Sequence, residues 1–361
     1  MSLNPDTINV RVGDLLPGSM GADSPPNLQM GWDAWEETFK ALIERPCMPF
    51  DMWPIYPRWK AWVEFRYGRI PNTGDRREDG AAWAPHCWEA AFRRILMSFQ
   101  KHGYRPELAT GGEAGIRAII DGWGRIIVCQ GNKRTALLRM LNGLDTVVPV
   151  KIKRRSPAWE GLKVNLLGGH DTLYQPLPHP DFETMPVVQP CVERRDMMLA
   201  TEQGEKAKSV LDIGCNTGWF CRMFGERGAY CVGVETNPSC IKMAECMEAY
   251  LKCARAKYLN VDLAEFLTQN IEQFDVVLCL SVIMHIFAKH GTDTGWKLMY
   301  DLSSLAHTMF LDIAYGGYSG VLPFTEETMP EQVLANTTYT QYKLLGHTKQ
   351  ENRPFYIFWR E

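Results

Sequence analysis

The 361-residue chain contains no Cys-x-x-Cys pair, although it carries 11 cysteines. That argues against a zinc or disulfide framework. Cys231 and Cys279 sit inside strand-like runs and read as small buried hydrophobes in a reducing, cytoplasmic setting. No apolar run approaches the roughly 20 residues that a membrane helix needs. The opening residues, Met-Ser-Leu-Asn-Pro-Asp, lack the basic-then-apolar layout of a secretory signal. Charge of one sign is also scarce. A net −3 at pH 7 gives no general attraction to nucleic acid or to anionic membranes, so neither is an expected partner, and no metal is expected. What is present is ordinary for a globular protein, 45% hydrophobic and 22% charged, in a length that favours two domains. The tryptophans concentrate toward the N-terminus (Trp53, Trp59, Trp62, Trp83, Trp88, Trp123) and read as an aromatic core before they read as ligand-stacking platforms.

Residues 1–45 carry Pro17, Pro25 and Pro26 with little periodicity, and read as an extended arm followed by a helix over 32–43. Ala91, Ile95, Leu96 and Phe99 lie at helical spacing and predict a helix over 88–100, stopped by Gly103. Ile126–Cys129 predicts a strand, Thr135–Asn142 a helix closed by Gly143, and Val147–Ile152 another strand, so residues 46–155 read as a small α+β domain. Residues 156–195, rich in proline, read as a linker long enough to wrap over a site. Residues 196–361 read as a further domain, in which the pattern alternates strictly from Lys206. Strands are predicted at 209–213, 230–235, 257–261, 274–280 and 308–314, separated by helices at 219–227, 238–254, 263–269 and 296–305. Alternating β and α units demand a parallel sheet with helices on both faces. Tyr342–Gly346 and Pro354–Trp359 add an antiparallel closing pair.

The most informative stretch is Val210-Leu-Asp-Ile-Gly-Cys-Asn-Thr-Gly218. A short apolar run ends in Asp212, then comes a glycine-punctuated turn, then a helix start, which is where an α/β sheet holds a nucleotide-like ligand. Gly214 and Gly218 let the backbone bend and approach the ligand. The amides of Gly218–Phe220 suit a carboxylate, Asp212 can accept from an ammonium, and Glu235, closing the next strand, can take both hydroxyls of a ribose. The two segments resemble motif I and the acidic end of strand 2 in class I S-adenosylmethionine-dependent methyltransferases. The resemblance implies a Rossmann-like sheet of seven strands with S-adenosyl-L-methionine as cofactor. It implies that Asp212, Gly214, Asn216, Gly218 and Glu235 hold that cofactor, that Asp262 meets the adenine amino group, and that Val261, Leu263 and Leu280 line its pocket. A nicotinamide dinucleotide is the competing ligand, but Asn216 stands where the second glycine of Gly-x-Gly-x-x-Gly is needed.

A sulfonium methyl is already activated, so the protein mainly aligns donor with acceptor and excludes water. A hydroxyl acceptor also benefits from a base, whereas a phosphate or carboxylate does not. In this fold the segment Leu280–Ile286 opens over the methyl, which makes His285 the candidate base. Lys289 and His290 are candidates for an anionic group on the acceptor, and Asp312 and Tyr315 share that edge. The run Leu280-Ser-Val-Ile-Met-His-Ile with His290-Gly291 is similar to small-molecule and glycan O-methyltransferases. It lacks the Pro-Pro-Tyr loop of enzymes that methylate DNA amino groups, and Ser24-Pro25-Pro26-Asn27, which follows no strand, does not supply it.

Ile126–Leu138 with Gly143 and Val148-Pro149-Val150 is similar to the ParB/sulfiredoxin-like nucleotide-binding fold. The resemblance implies a phosphate site at Gly131-Asn132-Lys133-Arg134, where two cations meet fresh helix amides. Lys151, Lys153, Arg154 and Arg155 read as a solvated strand end. The expected function is O-methylation of a small molecule, nucleotide-sugar or glycan, with the N-terminal domain binding a phosphate-bearing group. The alternatives are a bifunctional kinase/methyltransferase, marked by nucleotide turnover, and a nucleotide-gated DNA-binding module with a vestigial methyltransferase fold, marked by salt-sensitive DNA binding.

Overall fold

The structure, a computed structural model, describes residues 6–18, 31–67, 70, 84–105, 115–189, 191–252, 256–269, 272–314, 320–349 and 352–361. Ser24–Asn27, Trp83 and Tyr315 lie outside the described residues. The chain divides into two units, Met1–Glu160 and Gly161–Glu361.

In the first unit, β1 (Thr7–Arg11), β2 (Leu15–Pro17), β3 (Ile116–Ile120), β4 (Ile126–Gln130) and β5 (Val147–Arg155) form a five-stranded mixed sheet in the order β1-β5-β3-β4-β2. Its helices are α1 (Trp32–Glu44), α2 (Tyr56–Tyr67), α3 (Pro85–His102) and α4 (Asn132–Asn142), and α5 (Pro157–Leu167) follows β5. Residues 7–17, expected as part of an arm, instead supply the two edge strands. Only Val10 of β1 is buried, so the strand leaves no alternation to read. In β5, Val148, Val150 and Ile152 point inward while Lys151, Lys153 and Arg154 face water, so the basic run is the solvated face of a strand. Trp35, Phe39, Phe50, Trp53, Trp59, Trp88 and Phe92 are buried against one another. Neighbouring ring centroids lie 4.9–6.3 Å apart, as expected of packed aromatic pairs.

The second unit carries the expected seven-stranded sheet, in the order β11-β12-β10-β9-β6-β7-β8. The strands are β6 (Ser209–Ile213), β7 (Tyr230–Val234), β8 (Ala256–Leu259), β9 (Phe274–Leu280), β10 (Ala306–Asp312), β11 (Gln341–His347) and β12 (Pro354–Trp359). The helices are α6 (Val192–Leu199), α7 (Glu202–Lys206), α8 (Trp219–Glu226), α9 (Pro238–Leu251), α10 (Leu263–Gln269), α11 (Ile283–His290), α12 (Thr292–Ser304) and α13 (Met329–Asn336). β6 through β10 run parallel, and β12 is antiparallel to both β10 and β11. Successive residues bury on opposite faces: Leu211 and Val277 in one core cluster, Val210 and Val276 in the other. β6 pairs with β7 on one side and β9 on the other, so the strand order reverses beside it and opens a crevice at the carboxyl ends.

The proline-rich residues 156–195 are not an open linker. Beyond α5 the chain folds back on itself, with Leu173 N donating to Pro186 O at 2.9 Å and Gln189 N to Tyr174 O at 2.8 Å. The prolines set turns there rather than abolishing order. The segment expected to open after Leu280 is wound from Ile283 into α11. Gly291, at φ 75, ends α11 and starts α12, so that helix begins at Thr292 rather than at Trp296. Among the described residues no helix is long and apolar enough to cross a membrane.

Candidate active site

A crevice of about 560 Å³ lies at the carboxyl ends of β6, β7 and β9, lined by Asp212, Gly214, Asn216, Glu235, Asp262, Leu263, Leu280, His285, Lys289 and His290 among others. All the residues expected to hold the cofactor in this half are therefore brought together except Gly218. That glycine sits one step behind the crevice as the left-handed start of α8 (φ 74), where a Cβ would meet the Tyr258 ring at 2.6 Å. Gly214 is required more directly: at φ 68, an added Cβ would come within 2.5 Å of Val282 Cγ2.

The loop between them is tied to β7. Glu235 Oε2 accepts from Asn216 N at 3.1 Å, and its Oε1 accepts from Asn237 N at 2.9 Å. Asn216 takes φ 51, and its own Oδ1 accepts from Thr217 N at 2.9 Å. Asp262 starts α10 by accepting from Glu265 N, and it receives Lys289 Nζ at 2.8 Å, which holds its carboxyl below the usual carboxylate range. Lys289, expected to meet an anionic acceptor, thus has its charge answered by Asp262. His285 stands exposed on α11 facing the crevice, with His290 one turn and a residue further on.

Asp212 is 2% exposed, and the one hydrogen bond to its carboxyl among the described residues comes from Cys221 Sγ at 3.7 Å. Burial pushes its carboxyl up to about 8, and the nearby Glu235 adds to the effect. A buried carboxyl that lines a ligand-sized crevice and has no ion pair among the described residues fits the ammonium of an amino acid. Below about pH 8 the free protein holds Asp212 protonated, so binding a cationic ammonium there must release the proton. Affinity for S-adenosylhomocysteine is expected to rise as pH is raised from 6 toward 8, by at most about tenfold per unit, and then level off. Calorimetry in buffers of different ionisation enthalpy reads the released proton, and Asp212→Asn should flatten the profile.

Two sequence expectations need correction here. Two of the three amides at the start of α8 are already engaged: Gly218 N donates to Cys215 O at 2.9 Å, and Trp219 N donates to Gln175 Oε1 at 3.4 Å. Asp312 does not line the crevice but organises it from beneath. It is fully buried, takes Arg194 Nε at 2.8 Å on one oxygen, and takes Ser281 N at 2.6 Å on the other. Ser281 adopts φ 56, a left-handed turn leading into α11, and its Oγ accepts from Arg353 Nη1 at 2.7 Å. Arg194 also donates to Gln189 Oε1 at 2.8 Å.

Tyr174, Gln175, Gln189, Arg194 and Ser281 line the crevice and were not read from the sequence. The available signal was the polar Tyr174-Gln175 pair among prolines, and Gln189 just ahead of a helix. In the first unit, Gly131, Asn132, Lys133 and Arg134 line a separate cavity of about 260 Å³. Among the described residues no group of three or more His, Cys, Asp or Glu is arranged to hold a metal.

Residues 189–292 match the family model described as a methyltransferase domain, so the C-terminal region carries such a domain and its cofactor is S-adenosylmethionine. A tRNA U34 carboxymethyltransferase of Hahella chejuensis is 35% identical over 81 residues, 22% of this chain and 25% of that protein. The O-antigen chain terminator bifunctional methyltransferase/kinase WbdD of Escherichia coli is 25% identical over 200 residues, 50% of this chain and 26% of that protein. The matches therefore span about a quarter of each relative's length. A crystal structure of WbdD aligns with a TM-score of 0.46 at 24% identity, covering 55% of this chain and 46% of that one.

Proposed function

We propose that the second unit methylates an oxygen of a small molecule, nucleotide-sugar or glycan, and that the first unit binds a phosphate-bearing group. The observation that carries the reading is the pairing, in one crevice, of a buried carboxyl on Asp212 with the Glu235 carboxylate across a loop that only glycine permits at position 214. Asp212 suits the amino end of S-adenosylmethionine, Glu235 its ribose hydroxyls, and Val261 and Leu263 the adenine ring. The bound cofactor supplies a methyl already activated by its sulfonium charge. What the chain adds is alignment, a crevice shielded on one side by the folded-back 172–189 segment, and His285 to receive a hydroxyl proton.

The relatives support an oxygen acceptor only through their names, since ubiquinone biosynthesis O-methyltransferases also match, at 27–29% identity over 22% of this chain. The ParB/sulfiredoxin-like reading of residues 46–155 rests on the β4–Gly131–α4 unit and the Val148-Pro149-Val150 strand. A cytoplasmic setting follows from the cysteine usage.

His285→Ala is the test of the base. With a hydroxyl acceptor, kcat should fall by about 100-fold or more while S-adenosylhomocysteine affinity stays within about twofold, because a positioned base typically contributes that much. Unchanged kcat removes His285 from the reaction and favours an acceptor oxygen that is already anionic.

A further inference from the structure

The cavity in the first unit has an electrostatic imbalance that packing does not explain. Gly131, at φ 100, turns the chain from β4 directly into α4, with Lys133 and Arg134 in the first turn. The Lys133 ammonium lies 4.4 Å from the ring centroid of Trp88, 5.0 Å from Phe92 and 5.6 Å from Trp35. Neither Lys133 nor Arg134 has a hydrogen bond or ion pair among the described residues. Of the acids on the helices packed against α4, Glu36 of α1 is bridged to Arg139 at 2.6 Å, Asp33 of α1 to Arg58 at 3.5 Å and Glu89 of α3 to Arg93 at 2.8 Å, while Glu37 and Glu44 of α1 are exposed. The adjoining strands contribute a further cation, Arg117, and the thiol of Cys129. Asn132 Oδ1 is buried without a donor. Aromatic faces offset only part of the cost of burying an ammonium, and the remainder shows as a Lys133 amine pushed down to about 8, by burial first and by Arg134 second.

We propose that this cavity binds a phosphate monoester carried on a hydroxylated, sugar-sized group. Lys133 and Arg134 neutralise the dianion, and the first amides of α4 receive its oxygens. Two adjacent cations at one helix start call for two negative charges rather than a single carboxylate. Asn132 Oδ1 calls for a hydroxyl donor, which a sugar carrier has. The 260 Å³ volume admits such a molecule. The inference rests on the reading of the first unit as the phosphate-binding half and is independent of methyl transfer.

Calorimetry on the full chain with sulfate, inorganic phosphate and glucose 1-phosphate tests it. Sulfate stays a dianion from pH 7 to pH 9, so any proton taken up on binding belongs to the protein. Because an anion favours the charged amine, sulfate affinity should fall about tenfold between pH 7 and pH 9, with nearly one proton taken up at pH 9. Glucose 1-phosphate should bind more tightly than inorganic phosphate. Lys133→Met, which keeps contact with the three rings, should abolish the proton uptake and weaken binding by about 30-fold or more. Its S-adenosylhomocysteine affinity should be unchanged, so a failure here is distinguishable from a failure of the methyltransferase reading. If Lys133→Met does not fold by circular dichroism, Arg134→Gln supplies the affinity comparison. Binding of all three anions to the variant at parental affinity, absence of binding at about 10 mM, or pH-independent binding without proton uptake would each overturn the proposal.

Discussion

Glu235→Ala is expected to weaken S-adenosylhomocysteine binding by at least about 100-fold, because hydrogen bonds to a charged group are worth about 1.5–3 kcal/mol each and a ribose diol makes two. The carboxylate has a second task, since Oε2 anchors Asn216 N and Oε1 anchors Asn237 N. Its loss therefore loosens the loop as well as removing an acceptor. Glu235→Gln separates the two. It keeps the shape and one acceptor oxygen, so it should recover part of the affinity. Calorimetric titration measures both. An alanine variant within threefold of the parent would show that the ribose is held elsewhere and would reassign the site.

The second large effect is on stability. Arg194 and Asp312 form an ion pair with side chains 6% and 0% exposed, so removing one partner strands a charge out of reach of water. Asp312→Ala should cost about 3–5 kcal/mol in denaturant unfolding of the full chain, the usual range for breaking a buried pair. It also removes the nearer of the two Asp312 oxygens that Ser281 N reaches, leaving only the backbone carbonyl at 3.2 Å at the left-handed turn into α11. Replacing both partners, as Arg194→Met with Asp312→Leu, should recover much of the loss, since two apolar groups leave no unpaired charge. A single variant within about 1 kcal/mol of the parent would mean that water reaches Arg194 after all.

Most of the second unit was legible because parallel strands buried on both faces spell themselves out. Phe274-Asp-Val-Val-Leu-Cys-Leu became β9 residue for residue, and Ser209–Ile213 became β6. The glycines and acids of the crevice were legible for a related reason. Their tasks depend on local backbone shape and on position at a strand end, both encoded within a few residues. What did not show is whatever depends on contacts distant in sequence. The edge strand β1 pairs with β5 about 140 residues later, and its five residues carry one buried side chain. Arg194 meets Asp312 118 positions away, and nothing around either residue announces the other. Gln175 closes the start of α8 from within a proline-rich stretch, where composition suggested a spacer.

That last placement separates completeness of the sheet from completeness of the pocket. Every one of the seven strands lies after Lys208, yet Tyr174, Gln175, Gln189 and Arg194 all come before it. A polypeptide started at residue 200 would retain the whole parallel array and the Gly214 turn while losing one wall of its own binding chamber. The size of the ordered sheet is therefore a poor guide to how much chain the ligand needs.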